Sequence, residues 1–130
     1  MLPFQIQLHP GESLSEQIVY AVKKAIISGQ LRPGDKFPSV RVISQELKIN
    51  PNTAHKVVKL LEQKGLLAST PGIGTVVLPL TESSDKEKAV LLEGEIDRVV
   101  IEAKRLGIHL TEILTKIESR WSYFQPKEKK

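Results

Sequence analysis

The chain has 130 residues, 40% hydrophobic and 26% charged, a balance that suits a folded domain and argues against disorder. It contains no cysteine, which excludes disulfides and thiolate metal sites. The net charge of +4 is unevenly spread: residues 1–78 carry nine Lys and Arg against five Asp and Glu, while residues 79–130 carry ten of each. A basic first part joined to a neutral second part suits a chain of which only the first part meets an acidic polymer. The N-terminus has neither the basic start nor the apolar run of a secretory signal, and no stretch approaches the roughly 20 apolar residues of a membrane span. A cytoplasmic location is therefore expected.

In chain order, Phe4, Ile6 and Leu8 alternate with Gln5, Gln7 and His9, which predicts a short half-buried strand closed by Pro10 and Gly11. Ser13 and Glu16 have capping-box spacing. They open a helix with the apolar stripe Leu14, Ile18, Val22, Ala25 and Ile26, ended by Gly29 in the left-handed position. Pro33 and Gly34 centre a turn. Ser39 then caps a second helix that buries Ile43 and Leu47, with Lys48 in the following turn and Ile49 filling the core behind it.

The third helix is entered by Asn50 as N-cap and Pro51 at the first helical position, where a missing N–H costs nothing. Ala54, Val57, Val58 and Leu61 recur at helical spacing toward a core, and Gly65 ends the helix. Asn52, Thr53, His55, Lys56 and Lys59 are left outside. Two helices with a tight turn, the second polar and basic on its outer face, form the pattern of a DNA-reading helix-turn-helix. Residues 66–70 and 75–78 read as strands around Pro71-Gly72-Ile73-Gly74, a hairpin or wing. The expected fold is α+β, mostly α: a winged helix-turn-helix domain over residues 1–78, followed by a two-helix C-terminal segment.

Residues 79–84 (PLTESS) form a linker by composition, and Ser84 is placed to cap the next helix. Ala89, Leu92, Ile96, Val99, Ala103 and Leu106 recur at spacings of three and four, a seam of about two and a half heptads broken by Gly107. Leu110, Ile113, Leu114, Ile117, Trp121 and Phe124 form the stripe of a second amphipathic helix. Two such helices cannot bury both stripes by themselves, so residues 85–124 are expected to pair with a second copy of the chain. Leu92, Ile96, Val99, Ala103, Leu106, Ile113, Ile117 and Trp121 are the expected dimer-interface residues. The competing expectation is that both helices fold back on their own winged domain. Residues 125–130 are polar and basic and are expected to form a frayed tail.

Nothing in the sequence assembles a catalytic centre. His9, His55 and His109 fall on three different elements without ligand spacing, and Glu93, Glu95 and Asp97 read as a solvated helix face. Gly72-Ile73-Gly74-Thr75 leads into a strand, not into the helix that a phosphate-cradling loop requires. No cofactor is expected. A small-molecule effector is left open: Trp121, Tyr123 and Phe124 would line a pocket for one, against the favoured reading that they serve the core or the dimer interface.

The run Leu31-Arg-Pro-Gly-Asp-Lys-Phe-Pro-Ser-Val-Arg41, then Asn50-Pro-Asn-Thr53, Leu61-Glu-Gln-Lys-Gly-Leu-Leu67 and Pro71-Gly-Ile-Gly-Thr-Val-Val77, resembles the N-terminal domain of GntR-type bacterial transcription regulators. The resemblance covers about residues 13–78. The Asn50-Pro51-Asn52-Thr53 start and a C-terminal part of only about fifty residues resemble the YtrA-type subfamily. Such proteins are typically homodimers through two C-terminal helices and commonly repress operons for transporters. The resemblance implies that Arg41 contacts DNA and Ser39 caps on the phosphate side. It implies that Asn52 and Thr53 contact phosphate or bases, and that Gly72 lets the wing backbone approach the minor groove. His55 stands where many members have arginine, without that residue's bidentate fork. Thr70, Pro71 and Ile73 replace basic wing residues, so a weaker wing contribution is expected. Lys48 stands where glycine is usual.

The function expected is a sequence-specific DNA-binding transcriptional regulator, a homodimeric repressor acting on a palindromic double-stranded operator through residues 50–64. Its DNA-binding residues are Ser39, Arg41, Asn50, Asn52, Thr53, His55, Lys56 and Gly72. The alternative is a winged helix used as a protein-interaction or scaffolding module.

Overall fold

The computed structural model describes residues 2–81 and 84–125. It divides into two compact units, one of Met1–Leu80 with Phe124–Lys130 and one of Thr81–Tyr123.

In the first unit, α1 (Leu14–Ile27), α2 (Val40–Leu47) and α3 (Pro51–Gln63) precede a hairpin of β1 (Leu67–Thr70) and β2 (Gly74–Val77). Each helix starts where a side chain satisfies a backbone N–H that the helix cannot. Ser13 Oγ accepts from Glu16 N–H, Ser39 Oγ from Val42 N–H at 3.2 Å, and Asn50 Oδ1 from Asn52 N–H at 2.7 Å. The core joins the buried stripes of the three helices: Ile18, Val22 and Ile26 from α1, Ile43 from α2, and Ala54, Val57 and Leu61 from α3. Val19 and Ala21 are buried too, so α1 packs a wider face than the predicted stripe, while Leu14 at its start is exposed. Leu47 and Ile49 are half-buried against this core.

The predicted strand at residues 4–8 does not form. Its period of two is real in burial, with Phe4 buried and Ile6 and Leu8 half-buried, but among the described residues no strand lies alongside to complete a ladder. Packing holds the extended segment instead. Phe4 stacks on Phe37 with ring centroids 6.0 Å apart, and the Gln17 side chain brackets His9 by accepting from its N–H and donating to its carbonyl.

The hairpin is antiparallel, Leu67 opposite Val77 and Thr70 opposite Gly74, within a residue of the predicted strands. A feature beyond that prediction is a third line of pairing. Gly34 N–H donates to Val77 O, Val77 N–H to Asp35 O, and Phe37 N–H to Thr75 O, so the segment after α1 lies along the free edge of β2. Two Pro-Gly turns flank that strand. Asp35 N–H closes on Arg32 O and Ile73 N–H on Thr70 O, with Gly34 at φ +89° and Gly72 at φ +81°. Proline at the second position and a positive-φ glycine at the third are what a type II turn requires.

In the second unit, α4 (Asp85–Ala89), capped by Ser84 Oγ, runs into a π-helical segment, Val90–Glu95. Then come α5 (Ile96–Leu106) and α6 (Leu110–Tyr123), joined through Gly107 in the left-handed conformation. The expectation of an unbroken α-helical seam from Ala89 to Leu106 is corrected here. Ile96 N–H donates to Leu91 O, five residues back, so one extra residue is accommodated in the turn. That slip stacks Leu91 below Ile96, where an α-helix would have placed Leu92. Past it, the spacing of Ile96, Val99, Ala103 and Leu106 holds on α5. Glu82 and Ser83 of the predicted linker, and residues 126–130 of the predicted tail, lie outside the described residues.

Candidate DNA interface

α3 presents two faces. Ala54, Val57, Val58 and Leu61 point into the core. On the opposite side Asn52, His55, Lys56, Lys59, Leu60 and Gln63 line one shallow concavity open to solvent. The spacing explains it: residues three, four, seven and eleven positions after Asn52 return to the same side of a helix. The concavity carries two lysines and no carboxylate.

The predicted site residues separate into three groups. Asn52, His55 and Lys56 share this open face, as expected. Thr53 is half-buried and is not part of its lining, its N–H donating to Asn50 O at 2.9 Å. Asn50 and Ser39 are exposed but already occupied as caps. Arg41 sits in the first turn of α2 with an exposed side chain, and among the described residues it forms no ion pair. Gly72 lies at the exposed tip of the wing, with open space where a side chain would stand. There φ, not crowding, calls for glycine. Around it Thr70, Pro71 and Ile73 are exposed and uncharged.

Lys48, between α2 and α3, adopts φ 54° and ψ 49°, the left-handed conformation, and is the one non-glycine residue with positive φ among those described. The tight reversal demands it: Lys48 N–H and Ile49 N–H both return to Ser44 O. For a residue with a Cβ this costs roughly 1–2 kcal/mol.

Lys59, expected on the outer face of α3 as a solvated basic residue and not as a contact, and Gln63, which the sequence pattern did not single out, line the same face as the predicted readers. Their signal was present as spacing, but it lies beyond the motif that drew attention to the helix start. Among the described residues no cluster of three or more His, Asp or Glu is placed to hold a metal, and no helix is long and apolar enough to cross a membrane.

In the second unit the predicted interface residues lie mostly on the surface. Leu92, Ile96, Val99, Leu106, Ile117 and Trp121 are exposed, Ile113 is half-buried and Ala103 is buried. Val99, Ala103, Leu106, Ile108 and Ile113 line an apolar cup between α5 and α6, with Arg98 and Glu102 at its margin.

Comparison with known proteins adds to this geometry. The model of the family described as bacterial regulatory proteins, gntR family, matches residues 14–77. The HTH-type transcriptional repressor YtrA of Bacillus subtilis (strain 168) is 32% identical over 117 residues, covering 83% of this chain and 85% of that protein. Among solved structures, a transcriptional antiterminator from Listeria monocytogenes EGD-e superposes with a TM-score of 0.77 at 26% identity, over 91% of this chain and 90% of that one. YtrA from Sulfolobus acidocaldarius, described as a GntR-family transcription factor, does so with a TM-score of 0.53 at 26% identity, over 92% and 97%.

Proposed function

The chain belongs to the gntR family of bacterial regulatory proteins, and from that premise we propose that it is a homodimeric repressor of its own or a neighbouring transporter-type operon. Transcription regulation through DNA binding, not catalysis, is the activity of the family. The observation that carries the reading is the open face of α3, where Asn52, His55 and Lys56 stand clear of the core with no carboxylate among them. A helix about 10–12 Å across fits a major groove about 12 Å wide, with its N-terminal residues on the base edges.

Within that reading Asn52 and His55 read bases, and Lys56 and Arg41 neutralise phosphates. Thr53 contributes a hydroxyl beside the backbone, Ser39 and Asn50 orient the two helix starts, and Gly72 brings the wing backbone close to the minor groove. The uncharged wing tip adds little Coulombic affinity. Self-association is supported by the apolar stripes of α5 and α6, which the single chain leaves exposed. A two-fold pair would set two recognition helices in successive major grooves, about 34–36 Å apart, on a palindromic site where they obstruct polymerase.

Footprinting on the DNA upstream of the gene tests this. One protected, roughly palindromic site is expected. In a salt titration Arg41→Ala should weaken binding and make the slope of log K against log salt shallower by about 0.9. Unchanged operator affinity in that variant would overturn the role given to Arg41, and absence of any protected sequence would overturn the repressor reading.

A further inference from the structure

We propose that the DNA-contacting surface of α3 continues past its first two turns, with Lys59 and Gln63 holding the sugar–phosphate backbone beyond the bases that Asn52 and His55 read. The inference rests on the DNA-binding reading above and adds two residues that the helix-turn-helix motif does not designate. Lys59 and Gln63 are exposed and line the same concavity as Asn52, His55 and Lys56. A contact made by the first turn of this face therefore brings its later turns toward the same duplex. At 1.5 Å rise per residue, Lys59 lies about 10 Å and Gln63 about 16 Å along the axis from Asn52. A major groove is about 12 Å wide, so a helix with its first turn at the base edges carries its last turns out to the groove wall. The wall is phosphate.

The chemistry of the two side chains suits that place. A lysine ammonium is a point charge that a phosphate accepts from any direction, and a glutamine amide N–H donates to a phosphate oxygen. Half-buried Leu60 gives the concavity an apolar floor, against which the methylenes of Lys59 can lie while its ammonium reaches outward. No ion pair engages Lys59 and no hydrogen bond engages the Gln63 amide among the described residues, so neither side chain is committed to the fold. Capping of α3 falls to Lys64, whose N–H returns to Leu60 O and Glu62 O.

The test is a set of salt titrations of the full chain on two duplexes, its own upstream DNA and a random sequence. Lys59→Ala should weaken binding to both duplexes by the same factor and lower the log K against log salt slope by about 0.9, one phosphate's worth. Lys59→Arg should keep the wild-type slope. Gln63→Ala should weaken both duplexes about two- to tenfold, the range of a single hydrogen bond, with the slope unchanged. Lys59→Ala with the wild-type slope overturns the proposal, as does a loss confined to the upstream DNA, which would make these residues base readers. Wild-type chain that binds neither duplex overturns the DNA-binding reading as well. Because both side chains are exposed, thermal melts of the variants should coincide with the wild type; a lowered melt assigns the residues to the fold and overturns the proposal.

Discussion

The two units of this chain are built from the same kind of sequence, amphipathic helices with apolar residues every three or four positions, yet they end in opposite states. In the first, Ile18, Val22, Ile43, Val57 and Leu61 are sealed from solvent among α1, α2 and α3, and the hairpin closes the remaining side with Leu67 and Val77. In the second, Trp121 is 72% exposed, Leu110 71% and Leu92 63%, and Ala103 is the single buried residue among those described. Periodicity states which face of a helix needs cover. It does not state what provides the cover. Three crossing helices and a hairpin can enclose a core; two helices joined by a turn leave each stripe half open and turn the unmet burial into a driving force for association.

Equivalent truncations in the two units should therefore have different consequences. Leu61→Ala removes a fully buried side chain and should destabilise the first unit by about 2–5 kcal/mol, independently of protein concentration. That is a large share of a typical total of about 5–15 kcal/mol. Ile117→Glu places a charge on the exposed stripe of α6. It should leave the unfolding midpoint of the first unit in place while shifting sedimentation or sizing from dimer to monomer. The contrast breaks if the wild-type chain sediments as a monomer at every concentration, or if Ile117→Glu unfolds both units together.

A smaller effect sharpens the picture of the first unit. Its core is closed, but its backbone is strained at one point, Lys48, held left-handed by the bonds of its own and the next N–H to Ser44 O. Lys48→Gly should relieve the Cβ and raise stability by about 1 kcal/mol in denaturant titration, the flexibility gained by the unfolded chain offsetting part of the gain. A loss on substitution would mean that the lysine side chain contributes more than its backbone costs.

These features differ in how far the sequence discloses them. The boundaries of α3 were legible to within a residue, because Asn50, Pro51 and Gly65 each satisfy a local requirement of a helix end. The left-handed Lys48 could be anticipated where glycine is usual in the turn. Non-local features could not be read in this way. The period of Phe4, Ile6 and Leu8 reports burial and says nothing of whether a neighbouring strand exists. The pairing of residues 34–37 with β2 joins segments about forty residues apart. The π-helical turn at Val90–Glu95 escaped because Leu91 and Leu92 are adjacent, so either can stand below Ile96, and the pattern alone does not choose between them. At the candidate site the motif directed attention to the start of α3, while the residues that extend its open face lie two turns on.

The smallest expected effect concerns a like-charge contact within the closed unit. Lys23 of α1 is half-buried where Lys64 at the end of α3 approaches it. Burial first, and then the Lys64 charge and its hydrogen bond, hold the Lys23 ammonium below the usual lysine value of 10.5. The unfolded chain therefore keeps its proton to higher pH than the folded chain does. Between the folded and unfolded values the unfolded state binds more protons, so this residue makes stability rise with pH through that window. Below the window both states are charged and the penalty is present in full. Lys64→Gln removes the Coulombic part and leaves desolvation, so the alkaline gain should shrink without vanishing. Solvent screening keeps the change within about 0.5 kcal/mol, and Lys64 also favours the C-terminal end of the α3 dipole. The slope of melting temperature against alkaline pH is therefore the proper readout, rather than stability at neutral pH. Equal slopes in the two proteins would mean that burial alone depresses Lys23.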